Sequence, residues 1–387
     1  MGGEILRILY YRPMQPIADI ASSLSKSIPS VTKQINTLLT KKVIVEKGYA
    51  ASTGGRKAIQ YMINEDLKYS IISIAIDQFY TSISSSNLKA EIISSHNNIP
   101  IDLRDRNATD AILEALDKFI STTQIVMDQV IGIGISMPGF VDSDTGLNES
   151  YHEESPLYNI RKLVKQKFSL PTIIDNDSRC IALAERKFGD AQGSSHSLVI
   201  NLNWGVGLGI LINDDIFKGT SGYAGEFSHI PLSDTLTLCS CGKRGCLEVE
   251  ASISAAVRNI ERDIKNGEYS IYDKLAKEYI NKIDALIEAA QIGDQVAINN
   301  IGKIGYLLGK GISTLIHILN PNKIIISGRG AEIGDILAPH IQVAINEYSI
   351  PKIAKKTTLS ISHLNKRAQQ LGTTALVIEK YITNIIN

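Results

Sequence analysis

One histidine and three cysteines follow one another closely in the second half of the chain, with the spacing H-x9-C-x-C-x4-C: His229, Cys239, Cys241 and Cys246. Three thiolates and an imidazole supply the four tetrahedral ligands of a structural zinc site, and this closed set leaves no position for a catalytic water. The spacing therefore predicts a Zn²⁺ that braces a loop. The alternative is a set of surface thiols beside an unrelated histidine. The fourth cysteine, Cys180, stands apart and is expected to be a small buried apolar residue.

Two carboxylates lie next to this cluster in the sequence. Glu226 precedes His229 by three residues, and Glu248 follows Cys246 by two. Carboxylates and an imidazole on one metal-braced loop can accept and donate hydrogen bonds to a ring of hydroxyls, as a polar ligand such as a sugar requires. The alternative is that both glutamates are ordinary surface acids or only support the metal ligands.

Two further segments place polar or glycine residues at the ends of expected strands. Asp175, Asn176 and Asp177 follow a strand expected at 172–174, where ligands of α/β sheets bind. An acid at this place can act as a general base toward a sugar hydroxyl or can cap the next helix. The glycine-rich run 203–209 can let backbone N–H groups approach an anion, and a hairpin with glycine turns explains it equally well.

The elements that must position these residues begin near residue 69, where short β-type runs alternate with helical ones. Strands are expected at 69–77, 81–85, 130–137, 171–174, 197–202, 207–212 and 323–327, and helices at 108–121, 160–168 and 179–188. The stretch between the cysteines and residue 323 is mostly helical in pattern. Alternation of this kind favours an α/β architecture.

The segment 3–42 carries three short apolar stripes at helical spacing. They are Ile5, Leu6, Ile8 and Leu9; Ile17, Ile20, Ala21 and Leu24 after Pro16; and Val31, Ile35, Leu38 and Leu39 after Pro29. Only the turn 25–28 separates the second helix from the third, which is typical of a helix-turn-helix. The runs 43–47 and 59–63, joined by a turn at Gly54 and Gly55, add a β-hairpin wing. We therefore expect a winged helix-turn-helix.

The third helix presents a polar face opposite its apolar stripe. This face consists of Ser30, Lys33, Asn36 and Thr37, whose side chains can reach phosphates and base edges in a major groove, and Arg56 and Lys57 lie at the wing tip. Residues 1–70 carry ten Lys or Arg against five acids, so this end of the chain is +5 and the remainder is −5. DNA is the expected partner; the alternative is a solvated face on a small helical domain.

Composition bounds the remaining classes. The chain has 387 residues, 44% of them hydrophobic, with 40 basic and 40 acidic side chains, which is enough for two or three domains with their own cores. No apolar run approaches the roughly 18 residues of a membrane-spanning helix. Glu4 and Arg7 interrupt the segment that would be unbroken in a signal peptide. We therefore expect a cytoplasmic protein with no membrane partner.

The loop CSCGKRGCLE, with GEFSH ending ten residues upstream of Cys239, is similar to the signature of the ROK family of repressors, open reading frames and sugar kinases. The wing STGGRK, residues 52–57, resembles the N-terminal domain of the repressor branch, so the likeness covers nearly the whole chain. It implies an actin-like or hexokinase-like pair of α/β lobes (RNase H-like duplicated lobes) around a cleft, preceded by the winged helix-turn-helix. The expected domains are residues 1–68, residues 69–174 with 372–387, and residues 175–371. The expected assembly is a homodimer or homotetramer.

The resemblance also implies roles for individual positions. It makes His229, Cys239, Cys241 and Cys246 the zinc ligands, and the sugar-cleft residues Gly139, Asn176, Asp177, Glu226, His229 and Glu248, with Asp177 at the position of the kinases' catalytic base. Ser228 stands where the family's E-x-G-H has glycine, and Arg179 stands where the kinases have asparagine. Both departures leave the identity of the sugar open.

The nucleotide site departs furthest from the kinases. Their first strand ends in Asp-Gly-Gly-Thr, whereas residues 77–81 here read DQFYT, and side chains at Gln78 and Phe79 would obstruct the close backbone approach to phosphate. Trp204 replaces a small threonine in the second phosphate loop, and Arg329 replaces a glycine of the adenosine motif. These departures indicate a sensor that is not an enzyme.

The function expected from these features is that of a sugar-responsive transcriptional regulator, a repressor in the simplest case. It would bind operator DNA through its N-terminal domain and a sugar or sugar phosphate in the cleft, which acts by binding two conformations with different affinity. One alternative is an ATP-dependent sugar kinase that retains a DNA-binding head. Another is a regulator whose cleft binds no sugar and which responds to a partner protein.

Overall fold

A computed structural model of the chain describes residues 1–49, 57–233, 235 and 237–386. The chain forms two compact units. Unit 1 contains Met1–Gly139, Ser143–Asp175 and Thr373–Asn387, and unit 2 contains Phe140–Asp142 and Asn176–Gly372. The division into three domains expected from the sequence stays a prediction. No helix among the residues that the structure describes is long and apolar enough to cross a membrane.

Unit 1 begins with a small helical head. Its elements are α1 (Gly2–Tyr11), β1 (Gln15–Pro16), α2 (Ile17–Ser23), α3 (Ile28–Thr40), β2 (Ile44–Tyr49) and β3 (Ile59–Ile63). The three strands form an antiparallel sheet in the order β1-β3-β2, in which Glu46 pairs with Tyr61. The three helices bury the predicted apolar stripes against one another: Ile5, Leu6, Leu9, Ile20, Ala21, Val31, Ile35 and Leu38. This arrangement confirms the winged helix-turn-helix; the turn predicted at Gly54 and Gly55 lies outside the described residues.

A five-stranded sheet forms the rest of unit 1, in the order β10-β7-β4-β5-β6. Its strands are β4 (Ser70–Ile76), β5 (Tyr80–Ser86), β6 (Ile92–Pro100), β7 (Val130–Met137) and β10 (Thr172–Asn176), accompanied by α4 (Ala108–Thr122), α5 (Ile160–Phe168) and the short strand β9 (Leu147–Asn148). The two-residue strand β8 (Val141–Asp142) belongs to unit 2. Strands β4 and β7 are parallel, and β7 is buried along its whole length. The apolar run of β7 fits a central strand that is covered on both faces.

Unit 2 contains a second five-stranded sheet, in the order β13-β12-β11-β14-β15. The strands are β11 (His196–Leu202), β12 (Val206–Ile212), β13 (Asp215–Ile216), β14 (Lys323–Ser327) and β15 (Thr358–Ile361). Its helices are α6 (Asp177–Phe188), α7 (Leu247–Ala251), α8 (Ile253–Lys265), α9 (Tyr272–Glu278), α10 (Lys282–Gln291), α11 (Gln295–Leu319), α12 (Gly334–Tyr348) and α13 (Pro351–Ala354). The last helix, α14 (Ala368–Tyr381), starts in unit 2 and continues in unit 1.

Several elements were not expected from the sequence, among them edge strands β6 and β15 and helices α12 to α14. Strand β6 reads IISSHNNIP and is largely exposed, because it forms an edge of its sheet. Strand β15 has only four residues at the edge of the other sheet. Such edge strands need only a weak apolar pattern, since one side of each meets solvent.

Candidate functional site

The structure brings the histidine and three cysteines together in unit 2. The ligand atoms of His229, Cys239, Cys241 and Cys246 all lie within 4.8 Å of one another. Cys239 Sγ lies 3.6 Å from His229 Nδ1, and Cys241 Sγ lies 3.6 Å from Cys246 Sγ. Tetrahedral zinc with Zn–S of about 2.3 Å and Zn–N of about 2.0 Å separates its ligands by roughly 3.5–3.8 Å. Two of the six separations therefore match those of a tetrahedral zinc ion, and the four ligand atoms are close enough together to surround one metal ion.

Backbone hydrogen bonds fold the cysteine loop into a tight knuckle. The amide of Cys239 donates to Lys243 at 2.8 Å, and the amide of Gly242 donates back to Cys239 at 2.9 Å. Gly245 has φ +73°, and a Cβ there would lie 2.4 Å from the carbonyl oxygen of Ser233. A side chain at 245 would therefore break the turn that positions Cys246.

His229 lies between the cysteines and the two carboxylates. Its Nδ1 faces Cys239, and its Nε2 lies 3.6 Å from Glu226 Oε2. Glu248 Oε2 lies 3.8 Å both from His229 Nδ1 and from Cys239 Sγ. A metal on Nδ1 would fix the proton on Nε2, so that this nitrogen becomes a donor directed toward Glu226. The same loop would then offer a ring donor and carboxylate acceptors.

Burial raises the pKa of Glu226, and the neighbouring His229 opposes that rise. Glu248 and Asp177 act on Glu226 in the same direction as burial, and Arg179 acts against it. Asp177 therefore lies near enough to the metal loop to act on Glu226, and both residues are in unit 2. Among the predicted sugar residues, Asn176, Asp177, Glu226, His229 and Glu248 therefore belong to one unit.

The carboxylate of Asp177 opens helix α6, and its neighbours hold it in place. Asn176 caps the helix, accepting from the amides of Ser178 and Arg179 at 2.9 and 3.3 Å. Asp177 Oδ1 accepts from the amide of Ser178 at 2.8 Å, and its Oδ2 accepts from Asn201 Nδ2 at 3.1 Å. Burial raises the pKa of Asp177, and these hydrogen bonds oppose that rise. Asn176, and not Asp177, is therefore the residue that caps helix α6. The Asp177 carboxylate is instead hydrogen-bonded to Asn201.

Asn201 is a residue that the sequence reasoning missed. It is buried on β11, donates also to Ser178 Oγ at 3.1 Å, and accepts from Asn203 Nδ2 at 3.0 Å. Asn203 in turn accepts from the amide of Arg329 at 2.9 Å. The signal available in the sequence was a polar residue inside an otherwise apolar strand, since a buried amide needs partners.

Contacts with neighbouring residues constrain two other positions singled out in the sequence, Arg179 and Gly139. Arg179 is buried and donates to the carbonyls of Gly222 and Val141, each at 2.6 Å. Gly139, in unit 1, has φ +108°, and a Cβ there would lie 2.5 Å from Ser150 Oγ. Glycine is required at 139 by backbone conformation and by space.

The glycine-rich run forms a hairpin between β11 and β12, as the hairpin interpretation expected. Leu202 pairs with Val206 across the turn. A Cβ on Gly209 would lie 2.4 Å from Cβ of Ala182, and one on Gly207 would lie 1.9 Å from Ser178 Oγ. These glycines therefore let β12 lie directly on helix α6, whose first residue is Asp177. A Cβ on Gly205 would lie 2.5 Å from Glu248 Oε1, so this turn also touches the metal loop.

Side chains fill the three positions at which the sequence departs from the kinases. Trp204 packs against the apolar core of unit 2. Arg329 is only 13% exposed and pairs with Asp284 and Glu332. In unit 1, the Phe79 ring lies under the guanidinium of Arg104, 5.1 Å from the ring centroid.

Helix α3 presents the predicted polar face. Lys33, Asn36 and Thr37 are exposed, and Ser30 is half-buried, on the side opposite the buried apolar stripe. Thr37 donates its hydroxyl to the carbonyl of Lys33 at 3.0 Å. Lys57 is exposed, whereas Arg56 lies outside the described residues. Contact of these residues with DNA stays a prediction.

Comparison with known proteins agrees with this architecture. The model of the family described as "ROK family" matches residues 74–380. The xylose repressor of Caldicellulosiruptor bescii is 30% identical, over 92% of this chain and 89% of its own. The DNA-binding transcriptional dual regulator NagC of Escherichia coli K12 is 29% identical, over 97% of this chain and 91% of its own.

Solved structures extend the likeness to the fold. The crystal structure of a ROK family transcriptional regulator, a homologue of the E. coli MLC protein, has a TM-score of 0.78 and 27% identity, and covers 100% of this chain and 98% of its own. Solved sugar kinases also match, at 23% identity for a glucokinase of the family, and that likeness concerns the fold alone. The match therefore includes the head as well as the two units' sheets, and the chain belongs to the ROK family.

Proposed function

We propose that this protein is a sugar-responsive transcriptional repressor, which binds operator DNA through its winged helix-turn-helix and a sugar or sugar phosphate through residues of unit 2. The observation that carries the proposal is the presence, in one chain, of an exposed polar face on α3 and of a metal loop with two carboxylates beside it. The full-length likeness to proteins named as xylose and N-acetylglucosamine regulators supports it.

The sugar would be held by hydroxyl hydrogen bonds. Glu226 and Glu248 offer acceptors, and His229 Nε2 offers a donor once Nδ1 is on a metal. Asp177 adds an acceptor that Asn201 orients. Asn176 and, in unit 1, Gly139 are the remaining positions that the family resemblance implies. The relatives are named for different sugars, xylose and N-acetylglucosamine.

The metal proposed for the cluster is a structural zinc ion. Three sulfurs and one imidazole whose ligand atoms lie within 4.8 Å of one another form a set that suits Zn²⁺ better than harder cations, which favour oxygen. Zinc bound by His229, Cys239, Cys241 and Cys246 would supply no catalytic chemistry. It would fix the orientation of the His229 ring, and with it the direction of the Nε2 proton.

On the DNA side, α3 would lie in the major groove of an operator. Lys33 fits a phosphate contact, and Asn36 fits a base-edge contact, because amide side chains pair with adenine. Ser30, Thr37, Lys57 and Arg56 would add contacts on the same face and at the wing. We propose a homodimer or homotetramer as the DNA-bound form, since two heads read two half-sites.

Catalysis is not part of the proposed function. A phosphate loop needs backbone amides that the phosphate can approach closely. In the first phosphate loop, Phe79 stacks against Arg104. At the position of the adenosine motif, Arg329 forms ion pairs with Asp284 and Glu332. These side chains support a sensor over the kinase alternative, and they support a nucleotide site that no longer functions.

The test has two steps. A thermal-shift screen of D-xylose, D-glucose, N-acetyl-D-glucosamine and hexose phosphates identifies the ligand, because binding to the native state alone raises the Tm by mass action. Gel-shift titration on a duplex selected from a random pool then measures operator binding with and without that ligand. Glu226→Ala should keep operator binding and lose the response, since it removes a differential contact. A Glu226→Ala variant that still responds at the wild-type sugar concentration would show that the sugar residues are wrongly assigned.

A further inference from the structure

Helix α14 is the only helix of the described chain that belongs to both units. Its first residues, Ala368–Gly372, lie in unit 2, and its residues from Thr373 onward lie in unit 1. The division therefore falls inside a continuous helix. Since a helix is stiff along its axis, a displacement at one of its ends is passed to the other.

The first turn of α14 lies directly against helix α6. Ala368 and Leu371 pack in one apolar cluster with Ile181 and Ala184 of α6. A Cβ on Gly372 would lie 1.7 Å from the carbonyl oxygen of Cys180, so the two backbones are in contact there. Cys180 follows Asp177 by three residues on the same helix, which places this contact one turn from the proposed sugar residue.

The rest of α14 is fixed to the sheet of unit 1. Thr373 donates its hydroxyl to Ser136 at 2.7 Å, and Thr374 shares a hydrogen bond of 2.8 Å with Ser73. A Cβ on Gly134 would lie 2.8 Å from the carbonyl oxygen of Thr373, so the glycine lets the helix approach β7 closely. These contacts link α14 directly to strands β4 and β7 of unit 1.

The end of α14 and the tail that follows it, residues 382–386, touch the DNA-binding head. Tyr11 at the end of α1 donates its hydroxyl to Glu379 Oε1 at 2.6 Å. At the start of α1, a Cβ on Gly3 would lie 2.4 Å from Cγ2 of Thr383. Lys41, which follows α3, donates to the carbonyl of Ile386 at 2.6 Å. Glu379 of α14 therefore contacts the end of α1, and the tail contacts the start of α1 and the residue that follows the proposed DNA-reading helix.

We infer that α14 and its tail are the element that carries the sugar signal to the DNA-binding head. The contact of Gly372 with Cys180 would sense the position of α6. A sugar-induced movement of α6 would shift Glu379 and Thr383 against α1 and so change the position of α3. This inference rests on the proposed function, because it needs a sugar that alters operator binding. Sugar and DNA would then be coupled through one helix and one tail, with an equal effect in each direction.

A reversible bridge between head and tail tests the inference. A Cβ on Gly3 would lie 3.9 Å from Cβ of Thr383, which is the separation found in disulfides. The G3C/T383C variant, oxidised and then reduced, therefore holds and releases the same contact in one protein. The probes are the selected duplex and the sugar found in the screen. The controls are the G3C single variant and the wild type under the same oxidant and reductant, because the native thiols see both reagents.

We expect the sugar to change operator affinity by about tenfold or more in the wild type and in the reduced variant, and by less than about twofold in the oxidised variant. Sugar binding to the oxidised variant, measured by thermal shift, should be unchanged. An oxidised variant that responds to sugar as the wild type does would overturn the inference. A wild type that binds the duplex but responds to none of the sugars would overturn the proposed function, and the inference with it.

A second pair of variants avoids any crosslink. Tyr11→Phe removes the hydroxyl that contacts Glu379, whereas Glu379→Gln keeps an acceptor oxygen at the same place. The sugar-induced change in operator affinity should fall severalfold in Tyr11→Phe and stay near the wild-type value in Glu379→Gln. Equal responses in Tyr11→Phe and the wild type would contradict a role for this contact.

Discussion

Replacing Asn201 by aspartate exchanges the amide nitrogen for an oxygen, so a hydrogen-bond donor to Asp177 becomes a negatively charged acceptor that repels it. In the native protein Asn201 Nδ2 donates to Asp177 Oδ2 at 3.1 Å, in a place where Asn201 is buried. The variant puts a second carboxylate oxygen there. It loses a hydrogen bond to a charged group, which contributes about 1.5–3 kcal/mol. It also adds a repulsion on the order of 5 kcal/mol for two unit charges at this distance and an effective dielectric of about 20.

The pair avoids most of that repulsion by sharing a proton, so the pKa of the pair rises further above the ordinary carboxyl value. A pKa raised in the folded state means that the folded protein binds more protons than the unfolded chain. The free energy of unfolding of the variant is therefore nearest to wild type at acid pH and falls as the pH rises through the folded pKa. Burial already raises the pKa of Asp177 in the native protein, so the wild type shows the same trend more weakly.

At pH 7.5 we expect Asn201→Asp to lose about 3 kcal/mol, a fall of roughly 6–12 °C in Tm for a unit of this size. Toward pH 5 the difference should shrink. Thermal melts of both proteins from pH 5 to 8 measure this. Asn281→Asp is the matched control, because aspartate keeps the capping acceptor at the start of α10 and should melt as the wild type does. An Asn201→Asp curve parallel to wild type at every pH would show that Asp177 and Asn201 are not in contact.

Three further outcomes are expected. Elemental analysis of protein purified without added metal should find about one zinc per chain, and Cys241→Ser should lose the metal and lower the Tm; a metal-free wild type that binds sugar normally would contradict this. Lys33→Ala should weaken operator binding for all sequences and lower the salt slope by about one, whereas Asn36→Ala should relax sequence preference; unchanged gel shifts for both would exclude α3 as the reading helix. A coupled assay with ATP and a panel of hexoses and amino sugars should detect no phosphorylation by the wild type or by Arg329→Gly; wild-type turnover of about 1–1000 per second would support the kinase alternative.

The sequence was a good guide wherever the signal is local. Helix α5 and strands β7 and β14 have the predicted bounds, because a buried strand is a continuous apolar run and an amphipathic helix repeats every three or four residues. The helix-turn-helix was equally clear, since each of its helices buries a stripe that is legible in ten residues or fewer. Edge strand β6 was missed because half of its side chains meet solvent and carry no apolar period.

The four residues of the metal cluster could also be predicted from the sequence. Four donors of the right kind at short spacing can meet around one ion with little help from the rest of the chain, and they do so in unit 2. The sequence did not show which ring nitrogen of His229 faces which neighbour. That His229 turns Nδ1 toward Cys239 and Nε2 toward Glu226 depends on how the ring packs.

Contacts between segments far apart in the chain were decided by tertiary structure alone. Asn201 meets Asp177 because β11 lies beside α6, and Gly372 meets Cys180 across nearly two hundred residues, since a residue without a side chain lets two helices touch. The tail reaches Gly3 from the opposite end of the chain for the same reason. A sequence states which side chains are available to do chemistry, but only the packed chain decides which of them become neighbours, because packing depends on every element filling the same space.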